Sequence, residues 1–279
     1  MKKFLIATTA VMLAGGAAIA QVNNLQPPVK YVSDYVPKAG ETAFDFKLKG
    51  YVFGIRMIKA RFKGQYGAGN YSAYSDMKTS GLAALIKKQR LWATTDGRYD
   101  QSGYYPLIHT QQNLDKKMRR VEMRYDYDAQ HVSWDIRPPN GSRGKPPATV
   151  EEAFTADDIP SALLNMLSRG YAVGGNLCDG TIRVFDSKQH YGLRMVKVGT
   201  DRIKFDGEKR DTVRCHVFYE PINGFDPEDL PNAEEANTPV NVYFWERPDL
   251  GMSIPVRFTY RISVIKAVIK LDEMSVVKG

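Results

Sequence analysis

The chain has 279 residues, 43% of them hydrophobic, and a formal net charge of +8. That length supports a sizeable core, built as one large β domain or two smaller units. A basic balance often marks a nucleic-acid binder, but the leader described next points outside the cytoplasm and excludes that partner; anionic lipid headgroups or an acidic protein surface fit better, with charge that serves only solubility as the plainer alternative.

Residues 1–20 read as a secretory signal peptide. Lys2 and Lys3 form a positive start, Phe4 to Ala14 an apolar run broken only by Thr8 and Thr9, and Ala18-Ile19-Ala20 an A-x-A cleavage site. Cleavage after Ala20 removes both lysines from the net charge of +8, leaving +6, and places the mature chain in the periplasm. An uncleaved anchor is the competing reading, but the apolar run is short for a span of about 20 residues. No Cys stands at the cleavage point, which argues against a lipoprotein, and no later stretch is long and apolar enough to cross a bilayer. Residues 21–40 form an N-terminal extension.

From residue 41 onward the dominant signal is period-two alternation, the pattern of strands with one buried face. Phe44, Phe46 and Leu48 alternate with Asp45, Lys47 and Lys49, and Ile58, Ala60 and Phe62 with Lys59, Arg61 and Lys63. Between Tyr51 and Met57 the apolar residues sit at odd positions and from Ile58 at even ones, a phase slip that predicts a β-bulge or bend. A short helix is expected over Gly81 to Lys88, where Leu82, Leu85 and Ile86 have helical spacing. Val121, Met123, Tyr125 and Tyr127, then Val132, Trp134 and Ile136 across a turn at Asp128 to Gln130, predict a hairpin with His131 on its polar side.

Pro138-Pro139-Asn140-Gly141 and Gly144-Lys145-Pro146-Pro147 make residues 138–147 a breaker-rich connection between two β-meanders. A second helix follows: Asp157 and Asp158 precede Pro160, Leu163, Leu164 and Leu167 supply an apolar face, and Gly170 ends it. The second meander has strand candidates at Thr181 to Phe185, Tyr191 to Val198, Ile203 to Phe205, Val213 to Tyr219, Val240 to Glu246, Val256 to Tyr260 and Ser263 to Val277, with an acidic loop at Asp226 to Glu235. The order is that of a mainly β protein, a curled antiparallel sheet with one or two short helices, formed as a half-barrel or β-spiral because a long sheet must remove its edges. Residues 41–279 are thus expected to be a single curled β domain.

Cys178 and Cys215 are the only cysteines, and in an oxidising compartment they read as a disulfide; a reactive redox pair is the alternative, without a C-x-x-C motif to support it. The histidines, His109, His131, His190 and His216, have no catalytic or zinc spacing. His216 and Glu220 share a strand face, but solvated surface residues explain them better than a metal does. Asp226, Glu228, Asp229, Glu234 and Glu235 lack the ordered spacing of a calcium loop. No nucleophile elbow, zinc-protease motif or phosphate loop is present, so no cofactor, metal or catalytic residue is assigned. The most suggestive surface feature is basic: Lys87, Lys88 and Arg90, then Lys116, Lys117, Arg119 and Arg120, near the aromatics Trp92, Tyr99, Tyr104 and Tyr105. A basic rim beside an aromatic cavity suits a lipid-like anion; a solvated face over core aromatics is the competing reading.

Phe53 to Met77, Thr79-Ser80-Gly81-Leu82-Ala83-Ala84-Leu85, Gly97-Arg98 and Tyr105-Pro106 together resemble the bacterial domain-of-unknown-function family numbered 3108. So do Cys178-Asp179-Gly180-Thr181-Ile182-Arg183-Val184-Phe185-Asp186, Cys215-His216-Val217 and the stretch from Ile254-Pro255-Val256-Arg257 to Leu271. The resemblance covers most of the mature chain and implies an exported β-rich protein with no assigned activity, and it carries over no catalytic residues. Ser187-Lys188-Gln189-His190, after Asp186, is less glycine- and arginine-rich than the family there. The plan also looks like alphaproteobacterial envelope-integrity β-spirals and the half-barrel lipoprotein carriers of the periplasm, an analogy of fold alone. The expectation is a non-enzymatic periplasmic protein that supports envelope integrity by binding a lipid, lipoprotein or protein partner, with peripheral membrane contact. An enzyme acting on an envelope polymer or lipid through carboxylates and a pure structural scaffold are the alternatives.

Overall fold

Thirteen strands of the chain, in a computed structural model that describes residues 36–81, 83–84, 89–114 and 118–279, pair into one antiparallel sheet. The first meander holds β1 (Thr42–Val52), β2 (Ile55–Gly67), β3 (Asn70–Thr79), β4 (Arg90–Tyr99), β5 (Tyr104–Asn113), β6 (Arg120–Asp126) and β7 (His131–Arg137). The second holds β8 (Thr181–Phe185), β9 (His190–Phe205), β10 (Glu208–Asn223), β11 (Val240–Arg247), β12 (Met252–Ile262) and β13 (Ile265–Lys278). Between them lie helices α1 (Val150–Phe154) and α2 (Ile159–Ser168), and α3 (Ala233–Asn237) interrupts the second meander. The sheet order is β7-β6-β5-β4-β3-β2-β1-β13-β12-β11-β10-β9-β8. The two meanders are therefore joined by their terminal strands, Thr42 of β1 lying opposite Lys278 of β13.

The curled antiparallel sheet is the one the alternation predicts, and it is not closed into a barrel. The phase slip near Met57 is a bulge: Gly50 faces Ile58 but Tyr51 faces Arg56, which leaves Met57 extra on β2. The alternation from Tyr51 to Met57 hides a tight hairpin turn, where Phe53 and Gly54 both take positive φ. The hairpin of β6 and β7 forms with Val121 opposite Ile136 and Met123 opposite Trp134. The candidates at Tyr191 to Val198 and Ile203 to Phe205 are one continuous strand, β9. The expected helix over Gly81 to Lys88 lies largely outside the described residues.

Inside the curl sits α2. Its Ala162, Leu164, Met166 and Leu167 are buried against Phe44, Phe46, Met195, Cys215, Phe244 and Ile254 of the sheet. Each leucine side chain taken wholly from water in this way contributes about 1.5–3 kcal/mol. Sheet backbone and aromatic rings approach each other closely here. A Cβ at Gly64 would lie 2.5 Å from the Phe44 ring, and one at Gly97 2.3 Å from the Tyr105 carbonyl, so both positions need glycine. Cys178, just before β8, and Cys215 on β10 form the expected disulfide, with Cα atoms 5.4 Å apart. A second, smaller core holds Val121, Met123, Tyr125 and Val132 of the β6–β7 hairpin under α1 and Phe185.

Candidate functional site at the open edge of the sheet

An open sheet has two edges, and here they receive opposite treatment. At β8 the segment before α2 supplies a partner: Asp157 N donates to Arg183 O at 2.9 Å and accepts at its carbonyl from Phe185 N at 2.8 Å. At β7 there is none. Among the described residues, no backbone group of His131 to Arg137 bonds to any element but β6. Unpaired strand edges are templates for another strand, and native proteins usually blunt them.

Beside this edge runs a groove of about 480 Å³. Val132, Trp134 and Ile136 of β7 point to the inner side, but Trp134 and Ile136 are only half-buried, with no strand of the described residues beyond them. Phe185 closes one end, with its ring 5.0 Å from that of Trp134. Pro139, Ala148 and Val150 form the facing wall. Arg143 lies over the Trp134 ring at 6.0 Å. The wall is fixed by local structure. Thr149 caps α1 in a reciprocal box with Glu152, and hydrogen bonds from the Thr149 backbone and side chain hold the Glu152 carboxyl below its ordinary value.

The groove adjoins a polar pit of about 100 Å³ formed around the β8–β9 turn. Asp186 makes that turn by accepting from Lys188 N at 3.0 Å and Gln189 N at 2.7 Å. Ser187-Lys188-Gln189-His190 thus has a structural part as an Asx-type turn. Lys188 Nζ donates to Asp226 Oδ2 at 2.7 Å, and this bond, with Ser142, lowers the Asp226 pKa. Asp226 therefore belongs to an ion pair that ties the acidic loop to the turn. Part of that loop is helical, with Asn232 and Glu235 forming the capping box of α3.

On the far side of α1 two adjacent aspartates are held in contrasting ways. Asp158, the N-cap of α2, is completely buried. It accepts from Ser161 N at 3.2 Å, Ser161 Oγ at 2.7 Å and Thr95 Oγ1 at 2.7 Å, with His109 Nδ1 3.2 Å away. Burial pushes its pKa up, but His109, Thr95 and Ser161 outweigh burial and the net shift is downward. Because Thr95 Oγ1 gives its proton to Asp158, it accepts from His109 Nδ1 at 2.9 Å. Ser161 likewise gives its proton to Asp158 and receives one from Tyr71 at 2.7 Å. Serine, histidine and carboxylate meet here, but the serine is not bonded to the histidine, so no nucleophile–base pair forms. The knot instead pins α2 to β3, β4 and β5.

Asp157 opens on a polar recess of about 540 Å³ shared with Tyr105, Asn165, Arg169 and Arg183. Its Oδ2 accepts from Asn165 Nδ2 at 2.8 Å. Burial, only partly offset by that bond, raises its pKa to about 7.

The basic and aromatic residues singled out in the sequence do not converge on one pocket among the described residues. Lys87, Lys88, Lys116 and Lys117 lie outside those residues. Arg90 makes a two-pronged pair with Asp76, at 2.9 and 2.8 Å. Trp92 is buried on the outward face of β4. Arg120 pairs with Glu122 at 2.7 Å. Arg119 lines the pit, and donates to the carbonyls of Pro138 and Pro139 at 3.0 and 3.2 Å. Of the nearby aromatics, Tyr104 is buried and stacks with Tyr99 at 5.3 Å. Trp134, the residue that shapes the groove, was visible in the sequence as one apolar position of a hairpin; its place at a sheet edge was not.

A family model described as a protein of unknown function, DUF3108, matches residues 44–271. No curated protein matches the chain.

Proposed function

The chain belongs to the DUF3108 family, and we propose that it is a non-enzymatic periplasmic protein that supports the cell envelope by holding a protein partner, a lipoprotein included, in the groove beside β7. The observation that carries this reading is the β7 edge, unpaired among the described residues, next to the half-buried Trp134 and Ile136. The inward side of the curl, which a half-barrel lipid carrier would use, is filled by α2. That favours a partner at the rim over a lipid in the interior. The serine–histidine–carboxylate cluster around Asp158 is buried and bonded in the wrong order for catalysis, which favours binding over an enzymatic role.

The test is a photocrosslinking side chain placed at Val150, an exposed residue of the groove wall, in cells. Val264, exposed in the β12–β13 turn, serves as the control position. The expected result is a defined adduct with an envelope protein from position 150 and none from position 264. No adduct from 150, or the same adducts from both, overturns the reading. A lipid of defined mass retained by the protein in native mass spectrometry would replace the protein partner with a lipid.

A further inference from the structure

We infer that the β7 edge is a strand-addition site, which takes an extended, acidic peptide segment of the partner as a fourteenth strand of the sheet. This rests on the binding reading above and specifies its chemistry.

Three observations support it. First, among the described residues no strand pairs with the outer edge of β7 at any point along its length. The seven residues of β7 extend over about 23 Å at roughly 3.3 Å per residue, enough to register a segment of similar length. The described chain gives β7 no backbone partner beyond β6, although it gives the outer side of β8 one through Asp157. Backbone groups left this way set the shape of the occupant, because only an extended backbone can satisfy alternate N–H and C=O groups in line.

Second, the inner side beside the edge is apolar and incomplete. An added strand lies about 4.8 Å from β7 and turns every second side chain toward the same face as Trp134 and Ile136. Those side chains would enter the groove between Trp134, Phe185, Pro139 and Val150, covering the surface that β7 leaves half-exposed. The occupant therefore carries apolar or aromatic residues at alternate positions.

Third, the charge in the groove has one sign left over. Asp135 pairs with Arg137 at 2.6 Å, and Lys188 pairs with Asp226 at 2.7 Å. Arg143, exposed on the groove wall, makes its described contact with the Trp134 ring rather than with a carboxylate. A guanidinium held over an aromatic face beside an apolar groove matches a carboxylate of the incoming strand. The chain as a whole is also cationic.

The experiment uses the mature protein and a defined probe, an acetylated and amidated heptapeptide in which Val and Phe alternate with Glu and Thr. Affinity is read by calorimetry and the contact by amide hydrogen exchange. The peptide is expected to bind and to slow exchange at alternate amides of His131 to Arg137. N-methylation of the peptide at alternate residues removes its edge donors and should weaken binding at least tenfold. Arg143→Glu, a change on an exposed residue that spares the core, should weaken it about fivefold, with recovery by a peptide bearing Lys in place of Glu. Absence of binding, binding without protection at β7, or indifference to N-methylation overturns strand addition. A dimer in sedimentation that the peptide cannot enter also overturns it, by assigning the edge to a second copy. These outcomes separate from those of the crosslinking test: an adduct at position 150 with no β7 protection leaves a partner in the groove and removes only the added strand.

Discussion

Replacing Asp157 with Asn tests whether the segment that caps β8 carries a strained carboxyl. Asp157 has an ordinary value of 3.8 in the unfolded chain and is raised to about 7 in the fold, chiefly by burial. Between pH 4 and 7 the folded state therefore holds a proton that the unfolded chain has lost, so stability from this residue falls as pH rises through that window. The interval spans about three pH units at roughly 1.4 kcal/mol each, or about 4 kcal/mol when complete. Part of Asp157 faces the solvent of the recess, so about 2–4 kcal/mol is expected. The Asn side chain can still accept from Asn165 through its own carbonyl, in place of the 2.8 Å bond to Asp157 Oδ2, while its amide faces the recess. Urea unfolding at pH 4, 6 and 8 should give nearly equal stabilities for variant and wild type at pH 4. The variant should gain steadily until it is more stable at pH 8 by the amount above. A difference independent of pH, or an Asn variant less stable at pH 8, refutes the argument that burial destabilises the charged form.

The neighbouring residue should behave in the opposite way. Asp158→Ala removes the α2 cap and leaves Thr95, Ser161 and His109 without their common acceptor; loss of about 3–5 kcal/mol in urea unfolding at pH 7 is expected, and a loss below about 1 kcal/mol would show the knot to be dispensable. Its folded pKa is lowered, so its contribution is present above pH 4 and lost as pH falls below that. The disulfide closes a sequence separation of 37, which in the chain-entropy model is worth about 4 kcal/mol. The double variant Cys178→Ser, Cys215→Ser should lose that amount and become insensitive to reductant, while reduced wild type should fall to the same midpoint.

What the sequence made legible follows from which faces meet water. The β6–β7 hairpin alternates cleanly because one face is exposed, and its register matches the alternation residue for residue. Strands β3, β4 and β5 do not, because both faces are covered. Their outward side buries Tyr74, Trp92, Thr110 and Gln112, and their inward side carries Thr95, His109 and Gln111. With polar residues buried on both sides, period two loses its contrast. The cap of α2 was readable from Asp158 and Pro160, since capping is local. Its partners Thr95 and His109 were not, because they reach it only after the sheet has curled.

The groove depends on strand order, which no local pattern encodes. When β1 and β13 pair, the termini of the described chain form the centre of the sheet, and the strands on either side of its midpoint become the edges. Those are β7 and β8, and the segment between them, residues 138–180, is the stretch of chain nearest both. It places α2 in the core, where the inner faces of both meanders converge, and Asp157 arrives on β8 as the last residue before the α2 cap. The earlier part of the segment, through the prolines and α1, forms the wall opposite β7 without pairing to it. A strand left uncapped among the described residues, facing an apolar wall, is thus a consequence of how this topology distributes one connection over two edges. The same geometry that leaves β7 open keeps the open strand beside Trp134, Phe185 and Arg143, so an added strand would gain side-chain contacts and a charge partner as well as backbone bonds.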